Sequence, residues 1–421
     1  MPSSLSDRLK SLGVTVGADN LKPRPAPAGP ARRAPIEDVM DGRIQSTPLG
    51  DAFVVEQRYE LGHAYGGRGL ALTAPLDLLA EWAGDGRIAQ CAAGGFTFLD
   101  TETTGLAGGS GTLAFMVGVG RFDETGFTLA QYFLRDPAEE PAMLSALESF
   151  LTPCQTLVTF NGKSFDVPLM QARYITNQAP SPLLDLAQLD LLHLARKLWR
   201  LRLPSRALGY LEEHILGERR TADDAPGWMI PEMYFDYLRS GDARPLKGVF
   251  YHNAMDVLSM AALMEHIGYL LADPLNGETH VLDLVGVGQL HEDLGYADRA
   301  AHLYEQALAH KDLPRETRRD TTQRLAILHR RRGELPNAVS LWWQAAADRE
   351  IYAHVELAKF YEHQKKEYGE ALKWTDAALA LLRQPDTPRH ERVEWEPELL
   401  HRKARLQRKL AGRGLDDSDS R

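Results

Sequence analysis

From Phe96 onward the chain alternates short runs of period-two hydrophobicity with longer stretches of helical period. Residues 96–102 (FTFLDTE) predict a strand with Phe98, Asp100 and Glu102 on one face and Thr97, Leu99 and Thr101 on the other. After a glycine-rich turn, residues 112–122 and 127–134 predict two further strands, joined as a hairpin around Asp123-Glu124-Thr125-Gly126. Residues 141–151 then suit a helix, 156–160 a short strand, 165–177 a helix and 187–191 another strand. Three helical segments follow, the last spanning about 247–271, while upstream 53–60 reads as a strand and 75–82 as a short helix. Such an order describes an α/β domain over 51–272, a mixed sheet with helices on its faces.

Past Asp273-Pro274 only helical periodicity remains, and it repeats. Ala300, Tyr304, Ala307 and Leu308 recur as Ala338, Trp342 and Ala345, then as Ala371, Thr375, Ala378 and Leu379, with the leading alanines 38 and 33 residues apart. Small residues at a spacing near 34 resemble about three tetratricopeptide units over 275–411, capped by a helix at 395–410. The resemblance implies a surface that docks a protein partner. Residues 1–50 are polar, with a proline-rich run at 22–35 (KPRPAPAGPARRAP), and read as a disordered tail or linker; the polar segment 412–421 reads likewise.

Composition narrows the classes. A chain of 421 residues suits two or three domains, and a net charge of −10 argues against a protein that coats nucleic acid by global charge, so any such contact must be local. Two cysteines, Cys91 and Cys154, stand in no metal-ligand spacing; no disulfide framework is expected, and a reducing, cytoplasmic setting is. The N-terminus (MPSSLSDRLKSLG) has no apolar core behind its charges, and no run reaches the roughly 18 apolar residues that span a bilayer, so neither secretion nor membrane insertion is expected.

Two carboxylates on one strand face, Asp100 and Glu102, repel unless one holds a proton or a cation lies between them. Hard oxygen donors favour Mg2+ or Mn2+. Asn161-Gly162-Lys163-Ser164-Phe165-Asp166 follows a strand and places Asp166 in the first turn of a helix, near the edge where open α/β sheets hold ligands. His252 and Asp256 lie four residues apart on the last helix and share a face, whereas Tyr251 is turned away.

In that order, DTETTGL, NGKSFD and a Tyr-His segment ending in Asp256 resemble the three exonuclease motifs of the DEDD superfamily, whose fold is that of ribonuclease H. The surrounding LDLLHLARKLW, DDAPG and HN-x-x-DVLSM are similar to YprB-type ribonuclease H-like proteins, over about 52–270. The resemblance implies a 3′–5′ exonuclease acting on DNA or RNA, at a single-stranded 3′ end. It implies that Asp100, Glu102, Asp166 and Asp256 hold two divalent ions, with Thr103, Gly105, Leu106, Asn161 and Tyr251 contacting substrate. One DEDD subclass carries histidine five residues before the last aspartate and the other tyrosine four before it; here Tyr251 stands at five and His252 at four, matching neither. His252 is the favoured proton acceptor because an imidazole titrates near neutral pH. Two alternatives stand beside this: a nucleic-acid-binding scaffold on a decayed nuclease fold, and a ribonuclease H-type endonuclease.

Other features read as structural. The glycines at 105, 108, 109 and 111 lack a following Gly-Lys-Ser/Thr and suit a turn rather than a phosphate cradle; Asp190 suits a strand end or helix cap; His193, His214 and His291 have no ligand spacing. The basic stretch Arg196, Lys197, Arg200, Arg202 and Arg206 around Trp199 suits either phosphates with a stacked base or a solvated helix face.

Overall fold

The structure, a computed structural model, describes residues 33–67, 69–105 and 111–416. Seven strands form one mixed sheet: β1 (Arg43–Thr47), β2 (Gly50–Glu60), β3 (Phe96–Thr103), β4 (Ala114–Asp123), β5 (Gly126–Phe133), β6 (Thr156–Thr159) and β7 (Ala187–Asp190), in the order β1-β2-β5-β4-β3-β6-β7. Strands β1 through β3 of that row pair antiparallel, and β3-β6 and β6-β7 pair parallel. The hairpin closes with Asp123 opposite Gly126, and Asp123 Oδ1 accepts the Thr125 and Gly126 amides. The expected mixed sheet flanked by helices is present.

Alternation along β3 decides what each face carries. Phe98 joins a core with Phe122, Phe127, Val158 and Leu189, while Leu99 joins another with Val117, Tyr132 and Leu157 on the opposite side. Over the second face lie α4 (Glu140–Leu151), α5 (Asp166–Thr176) and α8 (Ile230–Ser240), behind the short α1 (Ile36–Val39). The first face is covered by α2 (Asp77–Ala83), α3 (Arg87–Gln90), α6 (Leu191–Trp199), α7 (Leu208–Leu211) with the π turn Glu212–Leu216, and the long helix α9 (Lys247–Ala272). By length and composition the stretch Arg244–Ala272 could cross a bilayer, contrary to the expectation that no run was apolar enough; 78% of its most apolar window is buried within the protein. It is apolar because it is the central core helix.

The remaining helices are α10 (Val281–Asp293), α11 (Ala297–Ala309), α12 (Arg315–Arg331), α13 (Leu335–Ala347), α14 (Ile351–Phe360), α15 (Tyr368–Leu382) and α16 (Arg389–Asp416). Ala300, Ala338 and Ala371 are each fully buried at the helix contacts. Helices α10 to α12 do not form a separate body: Leu284, Val287, Leu290, Tyr304 and Leu328 share one continuous core with Leu198, Trp199 and α9. A Cβ at Gly286 would lie 2.2 Å from the Leu198 carbonyl oxygen, so α10 and α6 cross with almost no gap. Farther helices have cores of their own, around Trp342 and around Leu379.

Two expectations about the ends are corrected. Residues 33–50 are built into the fold: Ile36 is buried against the sheet, and Arg43–Thr47 pairs with β2 although only Ile44 of its five residues is apolar. Pairing to a neighbouring strand supplied what the local pattern lacked. At the other end, α16 runs on to Asp416 rather than stopping before 412. Residues 1–32 and 417–421 lie outside the described residues.

Candidate active site

Three separated segments meet at the C-terminal end of β3. Asp100 and Glu102 project toward α9, where the register slips between Glu102 and Thr103. Asp100 pairs across the sheet with Gly118, and a Cβ there would lie 2.0 Å from Asn253 Oδ1. Glycine at 118 therefore lets Asn253 of α9 rest on the sheet, where its Nδ2 donates to Asp100 Oδ2 at 2.9 Å. Gln131 holds Asn253 in turn, donating to its Oδ1 at 3.0 Å.

Asp166 arrives from the other side of the strand. Asn161 takes a left-handed conformation (φ 68°), and a Cβ at Gly162 would lie 2.5 Å from Thr159 Cβ, so the NGKSFD turn needs both residues. Asp190 fastens the turn, accepting from the Asn161 amide at 2.8 Å, the Lys163 amide at 3.2 Å and the Leu192 amide at 3.0 Å. Its role is the helix cap anticipated. The Thr101 hydroxyl donates to Asp166 Oδ1.

Asp256 lies on α9 one turn beyond His252, and His252 Nε2 is 3.6 Å from Asp256 Oδ2, the shared face that the spacing implied. Burial first, then the charges of Asp256, Glu102 and Asp166, push the Asp100 carboxyl well above the ordinary carboxylate range. Glu102 is pushed up to about 8 by burial and by Asp256 and Asp166, against a lowering pull from Arg220. Burial raises Asp166 as well, and its bond from Thr101 opposes that. Asp100 and Glu102 thus feel the charges of Asp166 and Asp256.

Several functional candidates escaped the sequence reading. Arg220 donates through Nε to Glu212 Oε2 at 2.6 Å, and through Nη2 to Glu212 Oε1 and Asp256 Oδ1. His252 Nδ1 lies 2.8 Å from Asp224 Oδ1 and 3.1 Å from Arg220 Nη1. A carboxylate only accepts and a guanidinium only donates, so the two contacts compete for Nδ1; we assign the Nδ1 hydrogen to the shorter one, to Asp224, which leaves the Nε2 lone pair beside Asp256. Asn253 sits beside His252 within the Tyr-His-Asn-x-x-Asp segment, and Glu212 in a helical turn between buried Leu211 and Leu216, while Arg220 and Asp224 lie in irregular chain with no hydrophobic period. Tyr251 is turned from the cluster as expected, and its hydroxyl accepts the Thr221 amide at 3.0 Å, bracing the loop that carries Arg220. Thr103 Oγ1 donates to the Gly105 carbonyl at 2.9 Å, a turn contact, and Leu106 lies outside the described residues.

The basic stretch does not stack a base. Trp199 is 0% exposed because α6 turns its apolar face into the shared core, Lys197 pairs with Asp293, and Arg202 reaches Asp283 at 2.5 Å. Arg196 and Arg200 remain exposed.

Among the described residues no three His, Cys, Asp or Glu side chains close a finished metal-ligand set. The donor chemistry nonetheless fits divalent cations: hard carboxylates, with Asp100, Glu102 and Asp166 raised by burial, and with one oxygen each of Asp100, Asp166 and Asp256 steered by a neighbour.

Residues 97–268 match the RNase_H_2 family model, described as RNase_H superfamily. The chain is 32% identical over 377 residues to the uncharacterized protein YprB of Bacillus subtilis (strain 168), covering 85% of this chain and 86% of that protein. Among solved structures it matches the family B DNA polymerase of the hyperthermophilic archaeon Pyrobaculum calidifontis, at 13% identity and a TM-score of 0.34, over 61% of this chain and 33% of the polymerase. The chain belongs to the YprB family, and residues 97–268 of its sheet domain are RNase H-like.

Proposed function

We propose that this protein is a divalent-metal-dependent nuclease of the DEDD type that removes nucleotides from single-stranded 3′ ends of DNA or RNA. The observation that carries the reading is that Asp100 and Glu102 of β3, Asp166 of α5 and Asp256 of α9 come from distant segments yet meet at one strand end, where the charges of Asp256 and Asp166 add to burial in raising the proton affinity of Asp100 and Glu102. A structural surface would have spread those charges apart. The four carboxylates would hold two Mg2+ or Mn2+ ions, which when bound polarise a phosphodiester and offset charge on the leaving oxygen.

The chain's own residues supply the remainder. Asp224 fixes the His252 tautomer, so that Nε2 accepts a proton from the attacking water; Asn253 and Thr101 aim Asp100 and Asp166. Phe165, 56% exposed, precedes Asp166, and Trp228, 80% exposed, follows Gly227, whose position lies against the His252 ring. Two open aromatic faces beside the cluster suit unpaired bases, which stack without regard to sequence. The later helices, with their recurring alanines, would serve as tetratricopeptide-like units that dock a protein partner. A cytoplasmic setting goes with this reading.

The test is hydrolysis of DNA and RNA strands labelled at one end and blocked at either the 3′ or the 5′ end. Mn2+ or Mg2+ should support stepwise shortening that a 3′ block stops, a chelator should abolish it, and Asp166→Asn should remove it with the melting curve retained. Shortening from blocked 3′ ends, or full activity in Asp166→Asn, refutes the assignment. Internal cutting of hybrids would favour the endonuclease instead.

A further inference from the structure

No Asp or Glu occurs from Leu191 to Leu211, and the cations of this stretch fall into two sets. Lys197 and Arg202 are tied to Asp293 and Asp283 of α10. Arg196 and Arg200 are exposed, and among the described residues neither makes an ion pair or a side-chain hydrogen bond. At about 100° per residue, exposed His193, Arg196 and Arg200 lie within about 60° of one another round α6 and climb it in steps of about 4.5 Å and about 6 Å, since Arg200 keeps helical backbone at the C-cap. A solvated face ordinarily mixes both signs; in a chain of net charge −10 this one carries only the positive. The stripe starts beside the carboxylate cluster. Asp190 caps α6 through the Leu192 amide and also accepts the Lys163 amide at 3.2 Å, so one carboxylate joins the first turn of α6 to the NGKSFD turn. Lys163 is exposed, its side chain has no partner among the described residues, and Phe165 and Asp166 follow it directly after Ser164.

We propose that Lys163, Arg196 and Arg200 form a track for the backbone phosphates of the substrate strand, leading from α6 to the carboxylate cluster, so that the preferred substrate is a strand several nucleotides long. This deepens the nuclease reading given above and rests on it. Phosphates are evenly spaced anions that carry no sequence information, and the steps along α6 are of the order of the separation between neighbours on an extended strand. Guanidinium groups suit them, being charged at any ordinary pH and able to donate two parallel N–H bonds to one phosphate. An acidic protein surface would also present anions, but the stripe runs to the place where a phosphodiester must arrive, which favours the strand. The magnitude follows from counterion release: each phosphate neutralised on a single strand contributes about 0.7 to the slope of log affinity against log salt. At about 0.1 M salt that amounts to about fivefold per contact, and about 25-fold for Arg196 and Arg200 together.

The test is the KM of the full chain for a labelled single strand in Mn2+, measured from low to high salt. Arg196→Gln/Arg200→Gln should raise KM about 25-fold at about 0.1 M salt and flatten the slope of log KM against log salt by about 1.4, with the loss carried by KM rather than kcat. Arg196→Lys/Arg200→Lys, which keeps both charges, should recover the slope. The loss should shrink as the strand is shortened from about 16 to about 4 nucleotides, because a short strand does not extend to Arg200. Should the double variant melt below wild type, the single variants Arg196→Gln and Arg200→Gln each carry half the change in slope. A KM and slope equal to wild type at every length overturn the track while leaving the nuclease reading intact; a wild-type chain that hydrolyses no strand overturns both. Capture of polyglutamate that the double variant loses, with KM for the strand unchanged, would give this face to an acidic protein and overturn the track.

Discussion

Replacing Glu102 with glutamine removes a charge that the folded protein resists carrying. In the folded chain without divalent ions this carboxyl is held up to about 8, against an ordinary 4.5. Between those values the folded state keeps a proton that the unfolded chain has released, so stability falls as pH rises through that window. At about 1.4 kcal/mol per unit, the penalty at pH 7 is somewhat over 3 kcal/mol, and it reaches about 4 to 5 kcal/mol by pH 8. Glutamine has nearly the same shape and no proton to lose. In a chelator at pH 7, Glu102→Gln should therefore melt higher than wild type, by roughly 6 to 12 °C at about 2 to 4 °C per kcal/mol for a domain of this size. Asp100 and Asp166 are shifted the same way and still titrate, so some pH dependence should persist in the variant. Adding Mn2+ should reverse the ranking, because an ion that binds only the folded protein stabilises it and the variant has lost a ligand. Differential scanning calorimetry from pH 5 to 8.5, with and without Mn2+, reads all of this. A wild-type melting curve that stays flat across the range in chelator, or a variant less stable than wild type at pH 8, would refute the reasoning.

Three further outcomes follow from named contacts. His252→Ala should slow hydrolysis by about 10²-fold or more, the ordinary size of a general-base contribution, whereas Tyr251→Phe, which loosens only the Thr221 amide, should change it less; single-turnover rates rank the two, and the reverse order would transfer the base to Tyr251. Deleting residues 275–421 should yield insoluble protein, because it uncovers Leu198 and Trp199, while deleting 335–421 should leave the sheet domain folded; a soluble, cooperatively melting 1–274 fragment would show that the shared core is dispensable. Burial raises the Glu362 carboxyl, but Arg405 and Lys409 outweigh it and hold it near 2, so the contribution of this cluster is present above about pH 4.5 and lost as pH falls toward 2. Glu362→Gln should therefore lower the melting temperature near neutral pH and remove that acid step from a circular-dichroism titration.

The legible parts were those with a period. Alternation on β3 placed Asp100 and Glu102 on the face toward α9, and four-residue spacing placed His252 beside Asp256. The Arg43–Thr47 strand was missed because an edge strand made by pairing has little pattern of its own. Trp199 was offered to a base because its neighbours are basic, yet helical position, not local charge, decides which way a side chain points, and position sends it inward. Arg220 was hidden for a different reason: it lies in an irregular segment whose course depends on Gly217, the Glu212 fork and the Tyr251 hydroxyl, three contacts that no short window contains. Asn253 stood next to His252 in plain view, and only Gly118 on a distant strand explains why it faces Asp100.

Whether four acids from three segments share divalent cations is tested most directly by calorimetric titration of Mn2+ into the wild-type chain and into Asp166→Asn at constant pH. The account predicts that wild type takes up two ions per chain with release of protons from the crowded carboxyls, and that the variant loses at least one ion and most of the proton release. Saturation at zero ions, or identical isotherms for the two proteins, would contradict it.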